Sequence, residues 1–208
     1  MNTPGLVVFD FDGTLARGDS VCEVLARPLG KLARMQEFER LRDQDSIANA
    51  RAEMARWYES VSREELIGSL VNVRIADGAV DGISLLQAHG VEVAIASITW
   101  AFAIQPFAEH WEIERYLATK LHADGSIDHV WPEDKARWLV DLAAQLGVSN
   151  SRVAAVGDSA GDFEMLQAVG VPIYVGADRP EHESSWLHWP SANIDQIAQH
   201  LIGLWNLD

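Results

Sequence analysis

The sequence predicts an α/β fold, a parallel sheet flanked by helices and interrupted near its amino end by a helical insertion. Three observations predict it. Short, continuous apolar runs recur along the chain, as in strands buried on both faces. Amphipathic segments of helical period separate those runs, the alternation that builds parallel sheets. The roughly 60 residues after the first run carry no convincing strand pattern.

Leu6-Val7-Val8-Phe9 is the first strand. Residues 16–76 read as several helices, one opened by Ser62-Arg63-Glu64-Glu65, which has the form of a capping box. Residues 77–89 read as a helix stopped by Gly90, and residues 91–96 as the next strand. A helix over 133–146 is stopped by Gly147. Strands at 153–156 and 173–175 follow, with a helix from near Asp162 to before Gly170 between them. A last helix covers 194–204. The chain thus divides into a core, residues 1–15 and 77–208, and an insertion, residues 16–76. An insertion at the end of the first strand stands over the carboxyl ends of the strands, where open α/β sheets bind ligands.

The chain has 208 residues and a net charge of −15. That charge argues against nucleic acid, whose phosphates call for clustered Lys and Arg. It also repels a phosphorylated small molecule at long range, so such a substrate needs a local positive centre. Cys22 is the single cysteine, so no intramolecular disulfide forms and a reducing cytoplasm is the expected location. Residues 1–5 carry no basic region, and the apolar run after them is too short for a signal peptide or membrane span. No membrane contact is expected.

The chemistry-bearing residues begin at Phe9-Asp10-Phe11-Asp12-Gly13-Thr14-Leu15. Two carboxylates two positions apart on extended chain point the same way, with Cα atoms about 6.6 Å apart. One acid then stands on each side of a bound phosphorus atom. Asp10 attacks in line, while Asp12 protonates the leaving oxygen and later deprotonates water. Gly13 lets the backbone turn and offer N–H groups to phosphate oxygens. A plain Asp-Gly turn at a strand end is the competing structural reading. Bringing a phosphate monoester against ionised Asp10 calls for a divalent cation. Mg²⁺ takes oxygen ligands and keeps several waters, so Asp10, the Asp12 carbonyl and Asp158 suffice, with Asp162 nearby. Lys135 supplies a point charge beside Asp10 and the transferring group.

Taken together these segments resemble the haloacid dehalogenase superfamily, whose first motif is Asp-x-Asp-x-Thr. Ser97 follows the strand at 91–96, as the second motif requires, and the resemblance implies that its hydroxyl holds a phosphate oxygen. Lys135, in Glu133-Asp134-Lys135-Ala136, resembles the third motif's lysine. Gly157-Asp158-Ser159-Ala160-Gly161-Asp162 resembles the acidic fourth motif. The resemblance implies a Rossmann-like core of that superfamily's type, Mg²⁺ as cofactor and an aspartyl-phosphate on Asp10.

The insertion resembles the helical cap of the phosphoserine phosphatase branch, which implies a small phosphorylated metabolite, phosphoserine or a related compound, under one lid. In that branch an acidic residue soon after the first motif holds the substrate's amino group and a cap arginine its carboxylate. Asp19 stands at the acidic position, with a helix cap as its alternative role; Arg51 and Arg56 are the basic candidates. The second motif departs from the branch: Ser97-Ile98-Thr99-Trp100 replaces Ser-Gly-Gly-Phe, and Thr99 adds a hydroxyl for phosphate. Gly161 stands where Asn is frequent.

Trp57, Trp111, Trp138 and Trp205 sit in helical patterns as core or interface anchors. Trp100, beside Ser97, either lines the pocket or joins the core, and residues 186–190 form a loop or contact surface. The seven His residues show no zinc spacing. The competing functions are a phosphotransferase or phosphomutase using the same aspartyl-phosphate, a dehalogenase, and a binding protein on an inactive scaffold. Asp12 and Asp158 weigh against the dehalogenase, which needs neither a leaving-group acid nor Mg²⁺.

Overall fold

The computed structural model describes residues 3–181 and 183–207. Strand β1 (Leu6–Phe9) is fully buried and lies at the centre of the main sheet. The chain then passes through β2 (Ala16–Arg17) into four helices: α1 (Val21–Ala26), α2 (Leu32–Phe38), α3 (Gln44–Tyr58) and α4 (Arg63–Ser69). It returns through β3 (Arg74–Ile75). Ser62 and Glu65 exchange hydrogen bonds at the start of α4, the capping box that the sequence shows.

Residues 16–76 are not strandless, and that expectation is corrected. Strands β2 and β3 pair antiparallel, with Ala16 opposite Ile75 and Arg17 opposite Arg74. This ribbon zips together the two chain crossings that tie the helical insertion to the sheet. Strands two residues long show no period of two, so the pattern could not reveal them.

The remainder runs α5 (Ala79–Ala88), β4 (Glu92–Trp100), α6 (Ala101–His110), β5 (Arg115–Leu121), β6 (Ile127–Asp128), α7 (Pro132–Leu146), β7 (Val153–Gly157), α8 (Phe163–Gln167), β8 (Val171–Tyr174), β9 (Leu187–His188) and α9 (Ile194–Trp205). The sheet order is β6-β5-β4-β1-β7-β8-β9. β6 runs antiparallel to β5 and the other pairs are parallel. Sequence reasoning missed α6, whose interior Pro106 masks it, as well as β5 and the edge strands β6 and β9. Edge strands face solvent and lack the continuous apolar signature of buried ones.

Alternation along β1 divides the core. Val7 and Phe9 face a cluster that includes α5, α6, α9 and the insertion, whereas Leu6 and Val8 face α7 and α8. Trp111 and Trp205 are buried in the first cluster, Trp57 stacks on Phe38, and Trp138 packs against the second. Residues 186–190 are settled as structure: Trp186 is buried against Phe163 and Tyr174, and β9 extends the sheet. Among the described residues no helix is long and apolar enough to cross a membrane.

Candidate functional site

Asp10 lies one residue beyond β1, and its N–H donates to the Val156 carbonyl at 2.8 Å. This bond carries the β1–β7 pairing one step past the strand and fixes where the carboxylate emerges. The chain then turns sharply. Ala16 N–H donates to Phe11 O and Gly13 N–H to Ala16 O, both at 2.8 Å. Gly13 has φ +84°, and a Cβ there would lie 2.1 Å from Asp158 Oδ2. Only glycine lets the turn sit against that carboxylate. Thr14, fully buried, donates its hydroxyl to Asp158 Oδ1 at 3.4 Å.

Lys135 comes from the first turn of α7, which Pro132 opens and Asp134 caps through the Trp131 N–H. Its side chain is 1% exposed. Nζ donates to Asp10 Oδ1 at 2.7 Å and to Asp162 Oδ1 at 2.5 Å. The other oxygen of Asp162 accepts from the Asp158 and Ser159 N–H groups and from the Ser159 hydroxyl. Asp162 therefore ties the loop after β7 to Lys135.

Asp10, Asp158 and Asp162 each offer a carboxylate oxygen, all within 4.8 Å of one another. Among the described residues this is the group suited to a metal ion. One lysine faces three carboxylates, so charge remains uncompensated. Burial and the neighbouring Asp162 push Asp10 well above the usual carboxylate range, although Lys135 pulls it down. Burial, then Asp162, raises Asp158 to about 6. Burial alone would lower Lys135, but Asp10 and Asp162 push it above the usual lysine range. An all-oxygen donor set short of positive charge fits a hard divalent cation such as Mg²⁺.

Asp12 stands beside this cluster with a different environment. Its Oδ1 accepts from the Val21 N–H at 2.7 Å. Burial raises it to about 7, against the lowering effect of that bond. Such a group changes protonation near neutral pH, as an acid that later becomes a base must.

Ser97 and Thr99 lie within β4, which continues past the expected end at residue 96 and shifts register between Ala96 and Trp100. The Thr99 N–H donates to Ser97 Oγ at 3.2 Å, and Thr99 Oγ1 meets Cys22 Sγ at 3.3 Å. With Asp10, Asp12 and Lys135 they line a cavity of about 730 Å³ roofed by the insertion.

Of the four tentative substrate contacts, Asp19, Arg51, Arg56 and Trp100, the structure brings one to this cavity. Arg51 is buried and lines it. Its Nη2 donates to Ile98 O at 2.8 Å and to Val130 O at 3.1 Å. Its Nη1 donates to His129 Nδ1 at 3.1 Å, and the guanidinium lies over Trp131. Burial lowers it to about 10, so it stays charged at neutral pH.

The other three are placed elsewhere. Asp19 is half exposed and pairs with Arg27, and Ser20, not Asp19, caps α1. Arg56 is exposed and lines a separate groove of about 600 Å³ beside Phe102 and the turn after β5. Trp100 is buried against Tyr58 and Phe102, within the core. Its neighbours Ser97 and Thr99 take the cavity side instead.

Sequence reasoning missed Glu39, whose carboxylate accepts from the Ser20 hydroxyl at 2.7 Å inside the cavity. It also missed Cys22 and the lining face of α3. Ile47, Ala50, Arg51 and Met54, at i, i+3, i+4 and i+7, were a readable signal for that face.

A family model described as haloacid dehalogenase-like hydrolase matches residues 7–167. A phosphoserine phosphatase of Halobacterium salinarum is 28% identical over 179 residues, covering 82% of this chain and 85% of that protein. A phosphoserine phosphatase of Idiomarina loihiensis is 27% identical over 185 residues, covering 85% and 84%. A solved structure of a phospho-aspartyl intermediate analogue of phosphoserine phosphatase superposes with a TM-score of 0.78. It covers 94% of this chain and 98% of that one, and at 20% identity the likeness speaks to fold.

Proposed function

The chain belongs to the haloacid dehalogenase-like hydrolase family, and from that premise we propose that it is a Mg²⁺-dependent phosphomonoesterase that works through an aspartyl-phosphate on Asp10. The observation that carries this reading is Lys135, buried and bonded to both Asp10 and Asp162 at the floor of a roofed cavity. A general acid–base carboxylate, Asp12, stands at its side.

In this reading Asp10 attacks phosphorus from one side while Asp12 donates a proton to the departing alcohol oxygen. Asp12, then ionised, takes a proton from the water that hydrolyses the acyl phosphate. Ser97 and the backbone turn at Gly13 hold phosphate oxygens, with Thr99 orienting Ser97 through its N–H. Lys135 holds Asp10 in place and offsets charge on the transferring group. Asp10 and Asp158, with the Asp12 carbonyl and Asp162 close by, would hold Mg²⁺, which supplies positive charge against the phosphate. Both Asp162 oxygens are already occupied, which favours a positioning role for it.

Residues 16–76 serve as the cap over this site, hinged at the β2–β3 ribbon. The substrate is a small phosphomonoester, and phosphoserine, in the name of both relatives, is the reference compound. Water is the acceptor, and a reducing cytoplasm is the proposed location for a chain with one free thiol. The test is phosphate release from a panel of phosphomonoesters with and without chelator, with acid-quenched enzyme probed for phosphate bound to Asp10. Release that is indifferent to chelation, or an unlabelled Asp10, would overturn the reading.

A further inference from the structure

Residues 97–99 leave the regular ladder of the sheet. Ala96 lies opposite Leu117 and Trp100 opposite Thr119, so four steps along β4 match two along β5. The backbone between them arches out of register, and the regular pairing with β5 skips the Ile98 peptide. Ser97 and Thr99 stand on this arch and line the cavity. Side chains from elsewhere in the chain hold it.

The Ile98 carbonyl accepts two hydrogen bonds, from Thr119 Oγ1 at 2.9 Å and from Arg51 Nη2 at 2.8 Å. Nη2 also donates to Val130 O at 3.1 Å, and the Val130 N–H donates to Thr119 Oγ1 at 3.2 Å. Ile98, Thr119, Val130 and Arg51 thus close a ring of bonds, all from the core except Arg51. Arg51 is 5% exposed and Thr119 is wholly buried. A charged donor grips a carbonyl about twice as strongly as a neutral one.

Planarity carries this grip to the phosphate site. The Ile98–Thr99 peptide is trans, so its carbonyl and its N–H lie in one plane and point opposite ways. Fixing the Ile98 oxygen therefore fixes the Thr99 N–H, which donates to Ser97 Oγ at 3.2 Å. A serine hydroxyl has one hydrogen to donate and lone pairs that accept. With one lone pair taken by Thr99, the Ser97 hydroxyl is oriented and its hydrogen stays free for a phosphate oxygen.

We propose that Arg51 is a positioning residue that aims the Ser97 hydroxyl at the phosphate through the Ile98–Thr99 peptide, an alignment complete only while α3 is seated on the core. The proposal rests on the phosphomonoesterase reading and adds to it a link between the insertion and the phosphate site. It gives Arg51 no grip on a substrate carboxylate. Both guanidinium edges able to form one include Nη2, which has spent its hydrogens on Ile98 O and Val130 O.

The experiment measures kcat/KM for p-nitrophenyl phosphate and O-phosphoserine, in Mg²⁺, by release of product. The enzymes are wild type, Arg51→Met, Ser97→Ala and the double variant, with the melting temperature followed. Loss of a preorganised donor to the reacting group costs about 10²–10³ in turnover, and Ser97→Ala should fall in that range. Arg51→Met should lower kcat/KM by about tenfold, a coupling of ordinary size between residues of one network. The factor should be the same on both substrates, since only one of them carries a carboxylate. In the Ser97→Ala background the same change should cost less than about threefold, because its effect passes through Ser97. Thr119→Val removes the other bond to Ile98 O without touching the insertion. It should show the same dependence on Ser97, and it reads the coupling if Arg51→Met does not fold. Losses that multiply in the double variants, or a loss on phosphoserine alone, overturn the proposal and leave the phosphomonoesterase reading standing. No Mg²⁺-dependent release by the wild-type protein from either compound removes that reading and the proposal together.

Discussion

Gly13 and Asp158 are packed so closely that any side chain on residue 13 must displace the carboxylate: a Cβ would lie 2.1 Å from Asp158 Oδ2 and 2.3 Å from its Cγ. Gly13 also holds φ +84°, which L side chains rarely adopt. Gly13→Ala should cost about 1–3 kcal/mol from backbone strain alone, and should push Asp158 out of reach of Asp10. Chemical denaturation reads the first effect and Mg²⁺ titration of activity the second. Unchanged stability and unchanged Mg²⁺ dependence would show that the turn relaxes freely.

Asp10→Asn removes the proposed nucleophile while keeping its shape. Turnover should fall by several orders of magnitude, as when one member of a catalytic unit is lost. Circular dichroism should remain native, because Lys135 keeps its bond to Asp162. Near-wild-type turnover in the folded variant would place the attacking atom elsewhere.

Lys135→Met leaves buried carboxylates facing one another with no cation between them. Removing one partner of a buried pair costs ~3–5 kcal/mol, so the denaturation midpoint should drop sharply as activity disappears. The loss should be smaller at acid pH, where protons can replace the ammonium charge. A midpoint independent of pH and equal to wild type would contradict the charge balance inferred here.

The cation preference follows from the donor set. Asp10 and Asp158, with oxygens within 4.8 Å of each other, suit Mg²⁺, which accepts few protein ligands and keeps its waters. Excess chelator should abolish phosphate release and Mg²⁺ should restore it, whereas Ca²⁺, larger and looser in coordination, should restore little. Equal rescue by Ca²⁺ would argue for a different geometry around the ion.

His129 should titrate below its ordinary value of 6.5, because burial and then the Arg51 charge both disfavour its protonated form. The nearby Asp128 opposes this in part. A folded value below the unfolded one means that the contribution to stability is whole above about pH 6.5. It fades as pH falls through the folded value. NMR titration of the ring gives that value, and Arg51→Met should move it upward. A His129 that titrates at or above 6.5 in the wild-type protein would mean that the Arg51 bond does not persist in solution.

How much of this was legible beforehand depended on how local the signal was. Asp10, Asp12, Lys135 and Asp158 lie at strand ends or a helix start, and Ser97 directly after an apolar run, all marked in the sequence, so their convergence could be anticipated. Residues of the insertion carried no such marks. Asp19 occupied the expected spacing from Asp10 but had Arg27, at the far end of α1, as a partner eight residues on. Trp100 neighboured Ser97 in sequence, yet alternation along β4 turned it to Tyr58 and Phe102.

The sequence by itself determined the parallel core, its buried strands and the order of the four motifs, because backbone pairing and apolar burial act through short-range pattern. Tertiary structure alone decided what the insertion does with its charges. Whether Arg51 meets a carboxylate or the carbonyls of Ile98 and Val130 depends on how α3 settles on β4 and on the chain before α7. That docking brings together residues 47 and 79 positions apart, and no local propensity encodes it. The same docking sets Ile47, Ala50 and Met54 beside Arg51 in the lining of the cavity.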